Sequence, residues 1–368
     1  MSDGLLDVWP PLPPGSYLRR PRLSLPFPLG DPRCTLYARG RSGLHQGLRA
    51  LGLGPGDAVL MPAYHHGSEV EAAVRTGLTC VFYEADERLA PLEDELERLL
   101  EPRVRALHLT HYLGFPQDAA GWRAWCDKRG LFLVEDAAQA WLARDADGRP
   151  LGSLGDLAVF CLYKTFGVPD GAALVTGAPV EAAASRATEL GSLARSHVAW
   201  LASRSGMVAS MTAARRRERP YDPRSDFALA DPAAAPARSS VRLVRRLAAE
   251  EAAAARRAAY ATLLDALAAH VPAPFEELPP GASPFVFPVE TDRKAAVLSA
   301  LGQRRVRALD LWSVPHPSLP ADRFPTAASR RARTVGLPVH QELRPADVER
   351  IAAAVEAALS DRRPSRSP

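Results

Sequence analysis

Between residues 41 and 175 the apolar positions switch back and forth between helical and strand-like spacing, which predicts helices and strands in turn. Arg41 to Leu51 carries apolar residues at helical spacing and closes near Gly52; a Gly-Pro-Gly-Asp turn and the buried strand Ala58–Met61 follow. The alternation continues as helix 68–76, strand 79–83, helix 91–100, strand 104–109, helix 118–129 and strand 131–134. The apolar run 157–162 and the segment 172–175 add two more strands. Uninterrupted apolar strands separated by helices pair in parallel and need cover on both faces, so this region reads as α/β.

The flanking regions read differently. Eight prolines within residues 1–33 exclude helix and predict an extended arm lying over a body, with little chemistry of its own. Residues 180–217 are alanine-rich and helical in period, and 218–240 carry four prolines and read as a linker. Beyond it, one long helix over 242–270, the apolar stretch 284–290, a helix over 293–301 and a last helix over 345–359 suggest a smaller α+β domain. The expected organisation is an arm (1–33), a large domain (34–240), a smaller C-terminal domain (241–360) and a short tail (361–368).

Composition narrows the function classes. With 47% hydrophobic and 24% charged residues the chain is folded, and a net charge of +4 is too small and too evenly spread for a nucleic-acid track. No window reaches the roughly 18 uncharged apolar residues of a membrane span, and no basic-then-apolar leader opens the chain, so the expected location is the cytoplasm, with no membrane partner. Cys34, Cys80, Cys126 and Cys161 are far apart, with no Cys-x-x-Cys, so reduced thiols and no metal site are expected. Only Lys128, Lys164 and Lys294 among the 46 basic residues are lysines. Arginine can replace a lysine's charge but not its capacity to act as an amine, so each lysine is a candidate.

Three short segments carry candidate chemistry. In Leu-Phe-Leu-Val-Glu-Asp-Ala-Ala-Gln-Ala, Asp136 follows four residues of apolar strand and a glutamate, at the carboxyl end where ligands bind in open α/β sheets. It reads either as a cap for the next helix or as a ligand-facing carboxylate. Lys164 emerges from Phe-Cys-Leu-Tyr-Lys, 28 residues later, and reads either as a lysine reaching solvent or as a buried amine. Gly40-Arg-Ser-Gly-Leu44 opens a helix, as an ordinary cap or as a phosphate cradle. An amine, a carboxylate that keeps a pyridine nitrogen protonated and a helix N-terminus for a phosphate are together what pyridoxal phosphate (PLP) requires.

The order of these segments resembles fold-type I PLP enzymes. Val-Glu-Asp-Ala-Ala-Gln-Ala followed by Gly-Ser-Leu-Gly-Asp-Leu-Ala-Val-Phe is similar to the DegT/StrS-type sugar aminotransferases, and Leu-Gly-Leu-Gly-Pro-Gly-Asp-Ala-Val-Leu-Met-Pro-Ala-Tyr and Gly-Leu-Pro-Val-His-Gln-Glu-Leu extend the likeness over residues 37–360. The resemblance implies a mostly parallel central sheet flanked by helices, a smaller C-terminal α+β domain, PLP as cofactor and a homodimer. It implies that Lys164 forms the Schiff base, Asp136 pairs with the pyridine nitrogen, Gln139 reaches the phenolic oxygen and His66 stacks on the ring. Gly40, Arg41 and Ser42 would hold the phosphate. Cys161 is the nearest candidate for a serine that the family places five residues before its lysine.

The implied activity is amino transfer from an amino-acid donor to a keto sugar or similar small carbonyl compound. Lysine at 164 argues against the family's dehydratase variants. Two alternatives stay open: another PLP reaction (elimination, racemisation or C–C bond chemistry), and a non-catalytic binding or regulatory homologue. The first is permitted because Pro169–Ala173 replaces the family's Gly-Glu-Gly-Gly and an arginine- and proline-rich 215–240 stretch stands where a Gly-x-Asn-x-Arg segment is usual; the second stays open because a fold does not fix a function.

Overall fold

The computed structural model describes residues 4–180, 190–213 and 222–360. Its strands are β1 (Leu6–Asp7), β2 (Cys34–Tyr37), β3 (Ala58–Pro62), β4 (Thr79–Tyr83), β5 (Val104–Thr110), β6 (Phe132–Asp136), β7 (Leu157–Cys161), β8 (Ala172–Thr176), β9 (Val286–Glu290), β10 (Val306–Arg307), β11 (Leu309–Asp310) and β12 (Thr334–Pro338). The helices of the first half are α1 (Gly40–Ala50), α2 (Ser68–Thr76), α3 (Glu93–Leu99), α4 (Ala119–Arg129) and the single turn α5 (Leu162–Thr165). They are followed by α6 (Leu190–Arg204), α7 (Gly206–Ala213), α8 (Pro223–Asp226), α9 (Arg238–Leu247), α10 (Glu251–Leu267), α11 (Lys294–Gln303), α12 (Pro325–Arg333) and α13 (Pro345–Ser360).

A seven-stranded sheet in the order β2-β8-β7-β6-β5-β3-β4 forms the centre. From β7 to β4 every pairing is parallel; β8 and β2 add an antiparallel edge. The expected α/β sheet is therefore present, and β3, β7 and β8 are buried along their whole length, as strands covered on both faces must be. The close approach of α1 explains two of its glycines. A Cβ on Gly47 would lie 2.2 Å from Leu157 Cδ1, and one on Gly40 would lie 2.8 Å from Cys161 Sγ. The helix backbone thus rests directly on β7.

A second sheet, antiparallel and ordered β11-β12-β9, lies with α10, α11 and α13 in the C-terminal part. Two expectations need correction there. The single helix over 242–270 is two helices, α9 and α10, because the chain turns at Ala248 with ψ 96° and restarts at Glu250. The N-terminal arm is built into the fold rather than laid over it: β1 pairs in parallel with β10, Val8 and Leu12 are buried, and Pro14–Leu18 forms a 3-10 turn started by its own prolines. Arg215 to Arg217 and the tail 361–368 lie outside the described residues.

The loop after β5 ties the two sheets together. Ser283 donates its backbone N–H to the Gly114 carbonyl at 3.0 Å, and Phe285 donates to the Leu113 carbonyl at 2.8 Å. Gly114 has φ +90°, and a Cβ there would stand 2.0 Å from the Ser283 carbonyl oxygen. Gly114→Ala is therefore expected to cost about 2 kcal/mol or more, from left-handed strain and a backbone clash together. Urea unfolding should show a lower midpoint with an unchanged slope; a midpoint equal to wild type would refute this packing.

Candidate active site

Parallel strands deliver their carboxyl ends to one edge, and here that edge is formed by the ends of β5, β6 and β7. Asp136, the last residue of β6, pairs in register with Thr110 and Val159. Lys164 follows β7 on the turn of α5. Both line a cavity of about 470 Å³ together with Gly40, Arg41, His66, Gln139 and Cys161, so seven of the eight expected site residues converge. That volume falls within the range of small-molecule sites, about 300–1,000 Å³.

Each side chain has a defined role in the geometry. Asp136 Oδ1 accepts the Ala138 N–H at 2.8 Å within a turn; no helix follows β6, so there is none for Asp136 to cap, and Oδ2 stands 3.7 Å from His108 Nε2. Gln139 accepts the Leu113 N–H at 3.0 Å through its amide oxygen, which leaves its NH₂ as a donor. His66 is anchored by its backbone N–H to Glu69 Oε1 at 2.8 Å and packs edge-on to Phe227 and Trp312. Burial takes its pKa down to about 4, against the upward pull of Glu69 and with help from the Lys164 and Arg41 charges. It is therefore a neutral ring at physiological pH.

The lysines separate cleanly. Lys128 is exposed in the last turn of α4, and Lys294 is buried in an ion pair with Asp310 at 2.5 Å. Only Lys164 enters the cavity, with Nζ 5.6 Å from the Phe285 ring centre. Its turn is held from behind. Arg256 donates to the carbonyls of Thr165 (2.8 Å), Lys164 (3.3 Å) and Pro284 (2.9 Å), and Gln341 Nε2 donates to Thr165 at 2.9 Å.

The phosphate side departs from expectation. Ser42 does not line the cavity; its hydroxyl donates to the Asp231 carbonyl at 3.2 Å and its N–H to the Arg39 carbonyl. Arg41 lines the cavity, but its guanidinium donates to the carbonyls of Asp226 (2.7 Å) and Ala228 (2.9 Å). The loop 226–234 has drawn both side chains to itself. What faces the cavity is the N-terminus of α1 at Gly40 and Arg41, which no side chain caps, so its amide dipoles remain the anion-binding element. Cys161 fills the space beside Gly40, and the position five before Lys164 is the apolar Val159.

Several lining residues carried no clear signal in the sequence. Trp9, from the arm, packs on Phe285 and Tyr163, and Trp312 on Tyr64 and Tyr112, giving the mouth aromatic walls. Asp310 and Asp226 bring acid to it. Glu135 points to the opposite face of β6 and is fully buried, accepting from His111 Nε2 (2.9 Å) and from the amides of Gly152 (3.0 Å), Leu154 (2.8 Å) and Gly155 (2.5 Å). The partners of Glu135 lie 17 to 24 residues away along the chain, beyond what periodicity can show.

With this geometry in view, comparison with known proteins is informative. Residues 29–356 match the DegT/DnrJ/EryC1/StrS aminotransferase family. The chain belongs to that family. Among its relatives, a dTDP-3-amino-3,4,6-trideoxy-alpha-D-glucose transaminase from Streptomyces venezuelae is 41% identical over 144 residues, 38% of each chain. The chain thus spans about two-fifths of the length of the curated relatives it matches. Among solved structures, S. venezuelae DesV superposes with a TM-score of 0.64 at 27% identity, covering 88% of this chain and 84% of that one. NtdA from Bacillus subtilis, solved with the cofactor PMP, superposes with a TM-score of 0.62 at 16% identity, covering 89% and 73%. This DegT/StrS-family chain has the fold-type I architecture, and none of its described helices is long and apolar enough to cross a membrane.

Glu135 offers a test of the frame. Burial pushes its carboxyl up, but the bonds from His111 and the glycine amides outweigh that and hold it below the ordinary value of 4.5. A carboxyl lowered by folding contributes stability above its unfolded pKa and loses it as pH falls through the folded value. Glu135→Gln is expected to cost about 2 kcal/mol at pH 7 and to flatten the loss of stability below pH 4.5. Unfolding free energies measured across pH 3 to 7 check both; an unchanged acid limb would contradict the assignment.

Proposed function

We propose that this chain binds PLP and transfers an amino group from an amino-acid donor to a keto sugar or similar small carbonyl acceptor. The observation that carries the reading is the convergence of Lys164, Asp136 and Gln139 with the uncapped N-terminus of α1 in one cavity. The residues fit the cofactor: a carboxylate oxygen not taken by the Ala138 N–H, an amide donor, a neutral imidazole face and a helix start suit a pyridine nitrogen, a phenolic oxygen, an aromatic ring and a phosphate.

When bound, PLP supplies an aldehyde that an amine can capture and a ring that takes up the electron pair released at the donor carbon. The chain's own contribution is positional and protonic. Lys164 Nζ is the base that carries a proton at the donor carbon, and Asp136 holds the ring nitrogen protonated. Gln139 NH₂ donates to the phenolic oxygen. Trp9, Tyr163, Phe285 and Trp312 exclude water, which strengthens the Asp136 pairing. Arg256 and Gln341 fix the turn from which Lys164 projects.

The acceptor and the assembly belong to the same proposal. Kinship with a dTDP-sugar transaminase supports a sugar-like acceptor, small and carbonyl-bearing. A homodimer is supported by the apolar face that α6 and α7 expose through Leu190, Leu201, Met207 and Met211. Four unpaired cysteines are in keeping with a cytoplasmic enzyme.

Absorbance after adding PLP, then borohydride reduction and peptide mapping, tests the reading. With three lysines in the chain, label is expected on Lys164 and absent from Lys164→Ala, whose circular dichroism should match wild type. Label on Lys128 or Lys294, or none, would overturn it.

A further inference from the structure

His108 stands behind Asp136 in a setting that polar residues avoid. β5 and β6 run parallel with His108 opposite Val134 and Thr110 opposite Asp136, so all four side chains share one face of the sheet. The imidazole is 1% exposed, between Ala106 and Val134 in the register, both of which belong to the apolar core. Its Nδ1 lies 3.5 Å from Thr110 Oγ1, and its Nε2 has no hydrogen-bond partner. The polar group that Nε2 faces is Asp136 Oδ2, at 3.7 Å, diagonally across the strand pair. The Tyr83 hydroxyl donates to the His108 carbonyl at 3.1 Å and fixes the strand at that point.

A buried imidazole with an orphaned nitrogen is a cost that an aliphatic residue would not carry. It is offset if the orphan serves the carboxylate. A buried carboxylate is costly unless its oxygens meet donors, and the Ala138 N–H supplies only one, to Oδ1. A Thr110 hydroxyl directed at Nδ1 selects the tautomer with its proton on Nε2, aimed at Oδ2. A small rotation of the carboxylate closes the remaining gap, and hydrogen bonds of this kind are often long before the ligand is bound.

We propose that His108, oriented by Thr110, is a positioning residue that holds the Asp136 carboxylate in place and aimed at the ring nitrogen of a bound pyridine cofactor. This rests on the PLP reading above. His108 touches neither substrate nor cofactor; it acts through Asp136. Two donors, one on each oxygen, leave the outward lone pair of Oδ2 for the ring N–H. Thr110, which lines the cavity, carries the chain of contacts from β5 to the cofactor edge.

The test compares full-length wild type, His108→Leu, His108→Gln and Thr110→Val, each loaded with PLP and followed by visible absorbance during dialysis, with melting measured on the cofactor-free proteins. His108→Leu should melt no lower than wild type without cofactor, because the orphan is gone, yet release PLP about tenfold faster, the worth of one charge-assisted hydrogen bond. His108→Gln, whose amide NH₂ reaches the place of Nε2, should restore slow release, which a purely structural role would not require. Release from His108→Leu at the wild-type rate, or from His108→Gln as fast as from His108→Leu, overturns the proposal. Should His108→Leu fail to fold, Thr110→Val decides: faster release supports the relay and an unchanged rate overturns it. Wild-type protein that takes up no PLP on Lys164 sinks the underlying reading as well, and borohydride mapping shows that before any variant is made.

Discussion

Glu135 and Asp136 are adjacent carboxylates on one strand, and the two-residue period of that strand sends them to opposite faces of the sheet. On one face, Glu135 accepts four hydrogen bonds and so fixes His111, after β5, and the 152–155 turn that leads into β7. On the other, Asp136 gives one oxygen to the turn amide of Ala138 and keeps the other outside that contact. A buried carboxylate is tolerable only when its lone pairs are met, and Glu135 meets them with backbone amides that the turn presents at close range. The position of Lys164 depends on this, because β7 starts where that turn ends. The anchoring carboxylate and the cavity-lining one are thus consecutive residues.

The second constraint comes from Arg256. Its guanidinium is fully buried, and burial lowers its pKa to about 9, so it remains charged at neutral pH with carbonyls and the Gln341 amide as its hydrogen-bond partners. A charge bound to the carbonyls of Lys164, Thr165 and Pro284 ties the Lys164 turn to the segment entering β9. Together with the Gly114–Ser283 contact, this makes the C-terminal sheet part of the frame of the cavity, and the aromatic walls Phe285 and Trp312 come from that side.

Most of the sheet and the centre of the site were legible because their signals are local. Asp136 ends an apolar strand, Gln139 follows it by three residues, and Lys164 follows closely on another strand. The contacts of Ser42 and Arg41 were not legible, since the carbonyls that draw their side chains away lie about 185 to 189 residues later in a proline-rich loop without periodicity. Trp9 was missed for a related reason: proline content describes an extended arm but not the strand β10 that captures it. The break between α9 and α10 was invisible because Ala248–Glu251 favours helix locally, and only packing turns the chain there. His108 falls inside an expected strand, and its relation to Asp136 needs the register of two strands.

The proposed function requires that the carboxyl edge of β5, β6 and β7 hold a cofactor whose ring Lys164 and Asp136 both address. A crystal structure grown in the presence of PLP tests this most directly. The account predicts continuous density from Lys164 Nζ to the cofactor, with an Asp136 oxygen at hydrogen-bond distance from the ring nitrogen, roughly 2.7 to 3.0 Å, and the phosphate at the N-terminus of α1. A cofactor ring seated away from Asp136, or a phosphate bound elsewhere than at Gly40 and Arg41, would contradict it.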